Sequence, residues 1–417
     1  MCLVAVGHAP AQEPITPGAV MADNADPIVA DSSGAQQQAA TLQPDPPQRD
    51  IMDVLNEWIL GRRIEPGLEG ATRSGLAWSL LPTLSYNPVY GFAVGATVTG
   101  AGMLGMDFNA LPSVVSLSAN YSTTGQVQAL LRTELSNSSG RYLVKADIRY
   151  LDTERSTWGL GPITVDQQEY PMKFRLIRFY GTVYRRTTGP VYVGLGYHFD
   201  GFYDIVDTRA LQGENTPFGE YSGEGVTRTR ASGVSLNLLA DTRDSIVNPG
   251  GGYYLNSSFR IYSEEFGSDR YWQEFWVAAQ MYPHFPKKSN NILAFWIYGW
   301  FTFGPGPYLN LPSVGWDTYG RGARGYLQGR IRSSSQIYVE TEYRFQLTRD
   351  GLLGGVVFFN ATASTETDNN TFGKMDRAGG LGIRIKFNKH SKANLALDRA
   401  WGKAGSGGWF MGMSEAF

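Results

Sequence analysis

Cysteine is almost absent from this sequence. The single one, Cys2, excludes a disulfide within the chain and any cysteine-based metal centre. Histidine is nearly as scarce, with four residues, and none is grouped with carboxylates at ligand spacing. Charge is thin as well: 18% of residues are charged and the formal balance is −2, which gives no electrostatic reason to expect nucleic acid as a partner. Long apolar runs are missing too. The longest, Ile292 to Phe303 (ILAFWIYGWFTF), stops short of the ~18 residues a membrane helix needs, and reads as a strand.

What the chain has instead is glycine, 50 of 417 residues, and 13% aromatics. Residues 1–11 read as the remnant of a signal peptide. Ala9-Pro10-Ala11 suits signal peptidase, but the apolar stretch before it is short and lacks a basic leader, which places the true start codon upstream. Cys2 lacks the preceding residues of a lipoprotein box. Residues 12–50 are rich in Ala, Gln, Pro and Asp and are expected to be a disordered linker, since they cannot bury enough apolar surface to offset ordering. Residues 51–64 form a short amphipathic helix, with Ile51, Val54, Leu55, Trp58 and Ile59 on one face and Gly61 as a stop. A helix this short is marginal alone, so that face is expected to bury against barrel rim, lumen or membrane interface.

From residue 74 to 417 a different pattern holds. In IYVETEYRFQL, Ile337, Val339, Thr341, Tyr343, Phe345 and Leu347 alternate with Tyr338, Glu340, Glu342, Arg344 and Gln346. The same alternation sets Val144, Ala146, Ile148 and Tyr150 against Lys145, Asp147 and Arg149. It sets Val234, Leu236, Leu238 and Ala240 against Ser235, Asn237, Asp241 and Arg243, and Leu381, Ile383, Ile385 and Phe387 against Arg384 and Lys386. A period of two means strands with one apolar and one polar face. Helices are too few to cover so much apolar sheet. A strand of about ten residues at a tilt of about 40° rises roughly 25 Å, the height of a lipid-facing belt.

Sixteen strands can be placed, near 75–86, 90–101, 112–122, 126–136, 142–152, 171–186, 189–203, 232–244, 251–264, 271–285, 291–304, 334–348, 352–364, 378–388, 392–402 and 408–417. Long connections (153–170, 205–231, 305–333, 365–377) interleave with tight turns, as in bacterial outer-membrane barrels. Lys173 and Arg175 are out of phase with Arg178, which suggests a bulge in that strand. The fold class is therefore all-β: a sixteen-stranded antiparallel transmembrane β-barrel preceded by a disordered segment and one helix.

One stretch invites another reading. Gly320, Gly322 and Gly325 in YGRGARGY have the spacing of a dinucleotide-binding loop, but no helix follows, so no phosphate cradle forms. Placed in the longest late loop, Ala323-Arg324-Gly325-Tyr326 resembles the sixth-loop signature of the BamA/TamA superfamily of bacterial surface antigens. The turn Asp241, Arg243, Asp244, Pro249 and Gly252 resembles that family's turn between the eighth and ninth strands. GGVVFFNATAS stands where the family has F-x-D-x-G, with Phe358 kept, Asn360 replacing the acid and Thr362 the glycine. The final GSGGWFMGMSEAF resembles its closing strand, with Phe417 as the C-terminal barrel signal.

The resemblance covers about residues 75–417 and implies that Arg324, flanked by Gly322, Gly325 and Tyr326, reaches into the lumen to meet carboxylates. Glu340 and Glu342 point inward and are the expected partners. Asn360 also points inward, where it is expected only to accept a hydrogen bond, so that Asn360→Asp should be tolerated. The family's periplasmic POTRA domains have no counterpart in the seventy or so residues before the barrel, so the chain is expected to be a POTRA-less member.

No outward Ser, His and Asn set suggests an enzyme, and no cofactor is expected. His198 alternates inward beside Asp200 as part of a lumenal hydrogen-bond network, while His284 and His390 fall at turns. Inward charges of mixed sign (Arg132, Glu134, Lys145, Asp147, Arg149, Arg384, Lys386) suit a cross-bridged lumen better than a selective pore. The expected place is the bacterial outer membrane, with its lipids as partners. Three functions remain open: assembly, insertion or translocation of client polypeptides through an opening first-to-last strand seam; a passive pore or transporter; or a structural protein whose helix docks a periplasmic partner.

Overall fold

A chain that alternates apolar and polar residues can satisfy its backbone in lipid only as a closed ladder of strands. The computed structural model describes residues 48–60, 75–87, 91–104, 111, 113–164, 167–317, 320, 322–367, 369–389, 392–413 and 415–417. The signal-peptide remnant, nearly all of the linker, the helix beyond Leu60 and His390 lie outside the described residues, as does the side chain of Leu55.

The strands are β1 (Gly75–Asn87), β2 (Gly91–Met103), β3 (Ser113–Ser122), β4 (Val127–Ser136), β5 (Tyr142–Thr157), β6 (Tyr170–Arg186), β7 (Val191–Asp207) and β8 (Thr229–Asp241). They continue as β9 (Tyr253–Tyr262), β10 (Trp272–Met281), β11 (Ile292–Phe303), β12 (Ser335–Gln346), β13 (Leu353–Ser364), β14 (Asp376–Asn388), β15 (Ala393–Trp401) and β16 (Gly407–Met413). All sixteen form one sheet in chain order, each antiparallel to the next. Cα atoms of β1 and β16 come within 8 Å, but among the described residues no hydrogen-bonded ladder joins them. The helices are α1 (Ile51–Leu60) and, in the loop after β7, α2 (Pro217–Ser222).

The two faces are sharply divided. Leu236 is 58% exposed and Ile383 50%, while Glu342 is fully buried. Large apolar side chains thus stand on the outside, and charge is packed inside. There it is paired across neighbouring strands: Lys145 with Glu134 at 3.0 Å, Arg132 with Asp147 at 3.4 Å, Arg178 with Asp200 at 2.6 Å, and Arg260 with Glu274. His198 lies inside, its Nε2 2.8 Å from the Ser235 hydroxyl.

Several strand ends differ from the sequence reading, that of β5 by the most. β5 runs five residues beyond the expected 152, because Thr153, Arg155 and Thr157 keep the inward phase and meet the long loop after β11. Arg155 donates to Gln328 Oε1 at 2.9 Å, and Thr157 Oγ1 lies 2.6 Å from the Tyr308 hydroxyl. The register shift falls where the sequence placed a bulge, between Lys173 and Arg175, but the extra residue is on β7. β6 alternates without a break, and the register shifts because β7 sets two residues, Asp204 and Ile205, against Phe174. Lys173 and Arg175 therefore face outward, paired with Glu154 and Asp204, above the apolar belt.

Helix α1 lies at the short-turn end and is held by its acidic start. Asp50 accepts the Lys389 amide at 2.9 Å, Asp53 meets Lys389 Nζ at 2.8 Å, and the Arg49 amide donates to the Asp350 carbonyl at 3.0 Å. The expected burial of its apolar face is only partial. Ile51 and Val54 are half-buried, but Trp58 is 82% and Ile59 67% exposed. The charged anchors at the start of the helix orient it, and Trp58 at its far end stays exposed.

Two expectations follow. Leu236→Arg and Ile383→Arg should each cost about 2–4 kcal/mol of stability in vesicles, and Ser118→Arg, on the inner face, clearly less. Chemical unfolding of the three variants reads this. Burial pushes the Asp53 carboxyl up, but Lys389 and the Asp50 amide outweigh it and hold it below the usual range. A depressed carboxyl stabilises docking fully above the ordinary aspartate range, and loses that contribution as pH falls through the lowered value. Energy transfer between labels on α1 and the β14–β15 turn should therefore drop only in strong acid, and in Lys389→Gln should be low already at neutral pH.

Candidate functional site

Wide barrels need filling, and here the loop 304–334 between β11 and β12 fills much of the lumen. Tyr308, Leu311, Val314, Trp316 and Ile331 are buried against inward aromatics of β10, β11 and β12. The aromatic wall is continuous: Trp276 stacks on Tyr298 at 4.8 Å, Tyr298 on Tyr338 at 4.8 Å, and Trp296 meets Tyr338 edge-on at 5.3 Å. Polar ties hold the loop as well. Asn310 donates to Asp200 at 2.9 Å, and the Arg332 guanidinium to the Tyr308 carbonyl at 2.9 Å.

The tip of this loop carries Arg324 between two left-handed backbones, Ala323 (φ 61°) and Gly325 (φ 106°). A Cβ on Gly325 would sit 2.7 Å from the Ala378 methyl of β14, so glycine is required there by both conformation and space. The Gly322 amide donates to Asp317 at 2.8 Å, and the Tyr326 hydroxyl donates to the Arg377 carbonyl at 2.6 Å. Two left-handed positions thus flank Arg324, whose side chain is buried in the lumen.

There Arg324 meets three carboxylates. It donates to Glu340 through Nε at 3.1 Å and through Nη2, to Glu342 through Nη2, and to Asp398 of β15 through Nη1 at 2.7 Å. Its guanidinium also lies 3.6 Å from the centre of the Phe358 ring. Asn360 plays a different part from the one expected. It donates, through Nδ2, to the Arg324 backbone carbonyl at 2.9 Å, and so fixes the loop tip rather than the guanidinium.

The network extends further. Arg344 donates to Glu342 at 2.6 Å, and Arg384 to Asp398 at 2.5 Å and to Glu415 at 2.8 Å. Three guanidinium groups thus interlock with four carboxylates, all buried. Asp398 and Glu415 were missed by the sequence reading. Asp398 shares the inward phase of Asn394 and Ala396 and could have been found by extending the alternation to β15. Glu415 could not, because it lies beyond the last strand.

That end is a second departure. β16 stops at Met413 rather than continuing to 417, and Glu415 to Phe417 turn inward. Phe417 therefore does not face lipid. Its ring lies 5.3 Å from Trp296, and its carbonyl accepts from Arg344 at 2.8 Å. Beside it, a cavity of about 320 Å³ is bounded by the Arg324 tip, by Phe410 and Gly412 of β16, and by Arg132 and Arg149 of the opposite wall.

The residues of the β8–β9 turn also come together. Asp241 receives Arg243 bidentately at 3.0 and 2.8 Å, and the guanidinium lies over the Tyr254 ring. Asp244 accepts the Gly250 and Gly251 amides at 2.7 and 3.1 Å and meets Lys392 at 2.7 Å. Burial pushes its carboxyl up, but these partners outweigh it and hold it low. Gly252 (φ 88°) passes too close to the Thr242 carbonyl for any side chain, and the Pro249 carbonyl lies 3.4 Å from Arg344. The turn is thereby tied to the arginine network. Among the described residues no group of three or more His, Cys, Asp or Glu side chains is placed to hold a metal ion.

Removing Arg324 strands buried carboxylates, at a cost of ~3–5 kcal/mol. Arg324→Ala should make the loop tip protease-sensitive, and Arg324→Lys should rescue it poorly because an ammonium cannot reach three carboxylates at once. Asn360→Asp sets a carboxylate against the Arg324 carbonyl and should also loosen the tip, contrary to the sequence expectation. Limited proteolysis of the three variants beside the parent protein reads each effect.

Comparison with solved structures places this geometry. The chain superposes on BamA from Haemophilus ducreyi, in a form lacking POTRA domains 1–3, with a TM-score of 0.53 at 14% identity, covering 81% of this chain and 70% of that one. CdiB from Escherichia coli gives a TM-score of 0.49 at 12% identity, covering 79% of this chain and 59% of that one. No family model and no curated protein sequence matches the chain. The likeness to BamA establishes the fold: a sixteen-stranded transmembrane β-barrel of the kind found in that outer-membrane protein.

Proposed function

We propose that this chain is an outer-membrane barrel that assists the insertion or translocation of other polypeptides, with its β1–β16 seam as the working edge. The observation that carries the reading is the missing ladder at that seam. Among the described residues fourteen of the strands have a hydrogen-bonded neighbour on both sides, whereas β1 and β16 each have one. An unpaired edge in lipid leaves backbone donors and acceptors unsatisfied, and a client strand of matching direction would satisfy them. β16 is also short, with 7 residues against 13 in β1.

The arginine network supports the same reading. Arg384 and Asn394 hold Glu415 inward, which pulls the chain after β16 away from the wall. Arg324 meanwhile braces β12 and β15 from the loop, so the wall stays rigid while the seam is weak. A second reading draws on one observation only. Trp58 stands exposed on α1 at the short-turn end, where a periplasmic partner would find it.

The test is to lock the seam. With Cys2 replaced, cysteines at Leu80 in β1 and Met411 in β16 are joined by a bifunctional thiol reagent. The locked protein should lose client insertion, and cleaving the linker should restore it. Full activity in the locked form would overturn the seam reading. Loss of partner capture by Trp58→Ala, with the seam irrelevant, would favour the second.

A further inference from the structure

Lipid tolerates charge on the outer face of a barrel only near its rims and only with compensation. At the long-loop end most outward charges are compensated within the protein. Lys173 pairs with Glu154, Arg175 with Asp204, and Arg230 with Asp269. Two are not. Arg377 is the second residue of β14 and faces outward, and Arg399 faces outward two residues before the end of β15. Among the described residues neither has a carboxylate partner.

Their surroundings are those of a membrane interface. Arg399 stands opposite Trp409 of β16 and Leu381 of β14. Its guanidinium carbon lies 5.2 Å from the Trp401 ring and 5.8 Å from the Trp409 ring, and both indoles are half exposed. Indole rings settle at headgroup level, and an arginine between them keeps its stem in hydrocarbon while its fork reaches the polar layer. Arg377 lies four residues along β14 from Leu381, towards the loops, roughly 13 Å further along the strand. The two guanidinium groups therefore bracket one stretch of the headgroup layer, on the strands that flank the seam.

We infer that Arg377, Arg399, Trp401 and Trp409 form a binding site for the phosphate of an anionic lipid headgroup. Charge complementarity selects the occupant, since two uncompensated cations at an interface call for anions. A planar guanidinium matches phosphate in a two-pronged contact. A lipid held here lies against the last two strands and occupies the ground a client would cross. That consequence rests on the seam reading, whereas the site itself does not.

The whole protein in nanodiscs of phosphatidylcholine doped with phosphatidylglycerol tests this. Retained lipid is counted by native mass spectrometry, before and after adding inorganic phosphate. Phosphatidylglycerol should be enriched around the parent protein, and the enrichment should fall about fivefold for each of Arg399→Gln and Arg377→Gln. Arg399→Lys should keep part of it, which separates lost charge from lost folding. Inorganic phosphate should not displace the lipid, and the seam-locked protein should retain it equally. An unchanged enrichment in the double variant would overturn the site. So would an equal fall in Arg185→Gln, at the other rim, or displacement by inorganic phosphate.

Discussion

Hydrocarbon accepts no unpaired backbone polar group, and this constraint governs the whole molecule. It forces the strands into one continuous ladder and turns every strand's apolar face outward. It thereby sends the charged face into the lumen, where water and paired side chains must accommodate it. The cross-strand pairs such as Arg178 with Asp200 and Lys145 with Glu134 are a consequence of that inversion. Among the described residues one boundary between neighbouring strands lacks a ladder, that of β1 and β16.

The lumen resolves a second problem, which is how to keep so wide a wall rigid. An aromatic face on β10 to β12 receives the loop 304–334, and an arginine at the loop tip clamps the opposite arc of strands. Three guanidinium groups are shared among four carboxylates, so every arginine in the network meets more than one acceptor. Such a network resists rearrangement because moving any one member strands another.

Outside, the same economy of charge marks the membrane boundary. Outward cations are neutralised by neighbours on β5 to β8, but those on β14 and β15 are left to the lipid. The headgroup layer next to the seam is thus chemically different from the rest of the perimeter. Its thickness and order will be set in part by what Arg399 and the paired indoles hold.

Alternation by itself determined the number of strands, their faces and most of their limits, because period two is a local property that lipid on one side makes strict. The same phase put Glu340 and Glu342 within reach of a loop arginine at 324. What the sequence left open depends on where the chain goes when no period guides it. Asp398 joins the arginine only because curvature of the sheet brings β15 round towards β12, and Glu415 only because the chain turns inward after β16. Asn360 donates to a backbone carbonyl because the left-handed tip at Ala323 and Gly325 puts that carbonyl, not the guanidinium, beside it. Helix α1 was legible as a helix, but its orientation follows from Asp50 and Asp53 meeting Lys389, hundreds of residues away. Long-range ion pairs decided what helical periodicity could not, and they left Trp58 in the open.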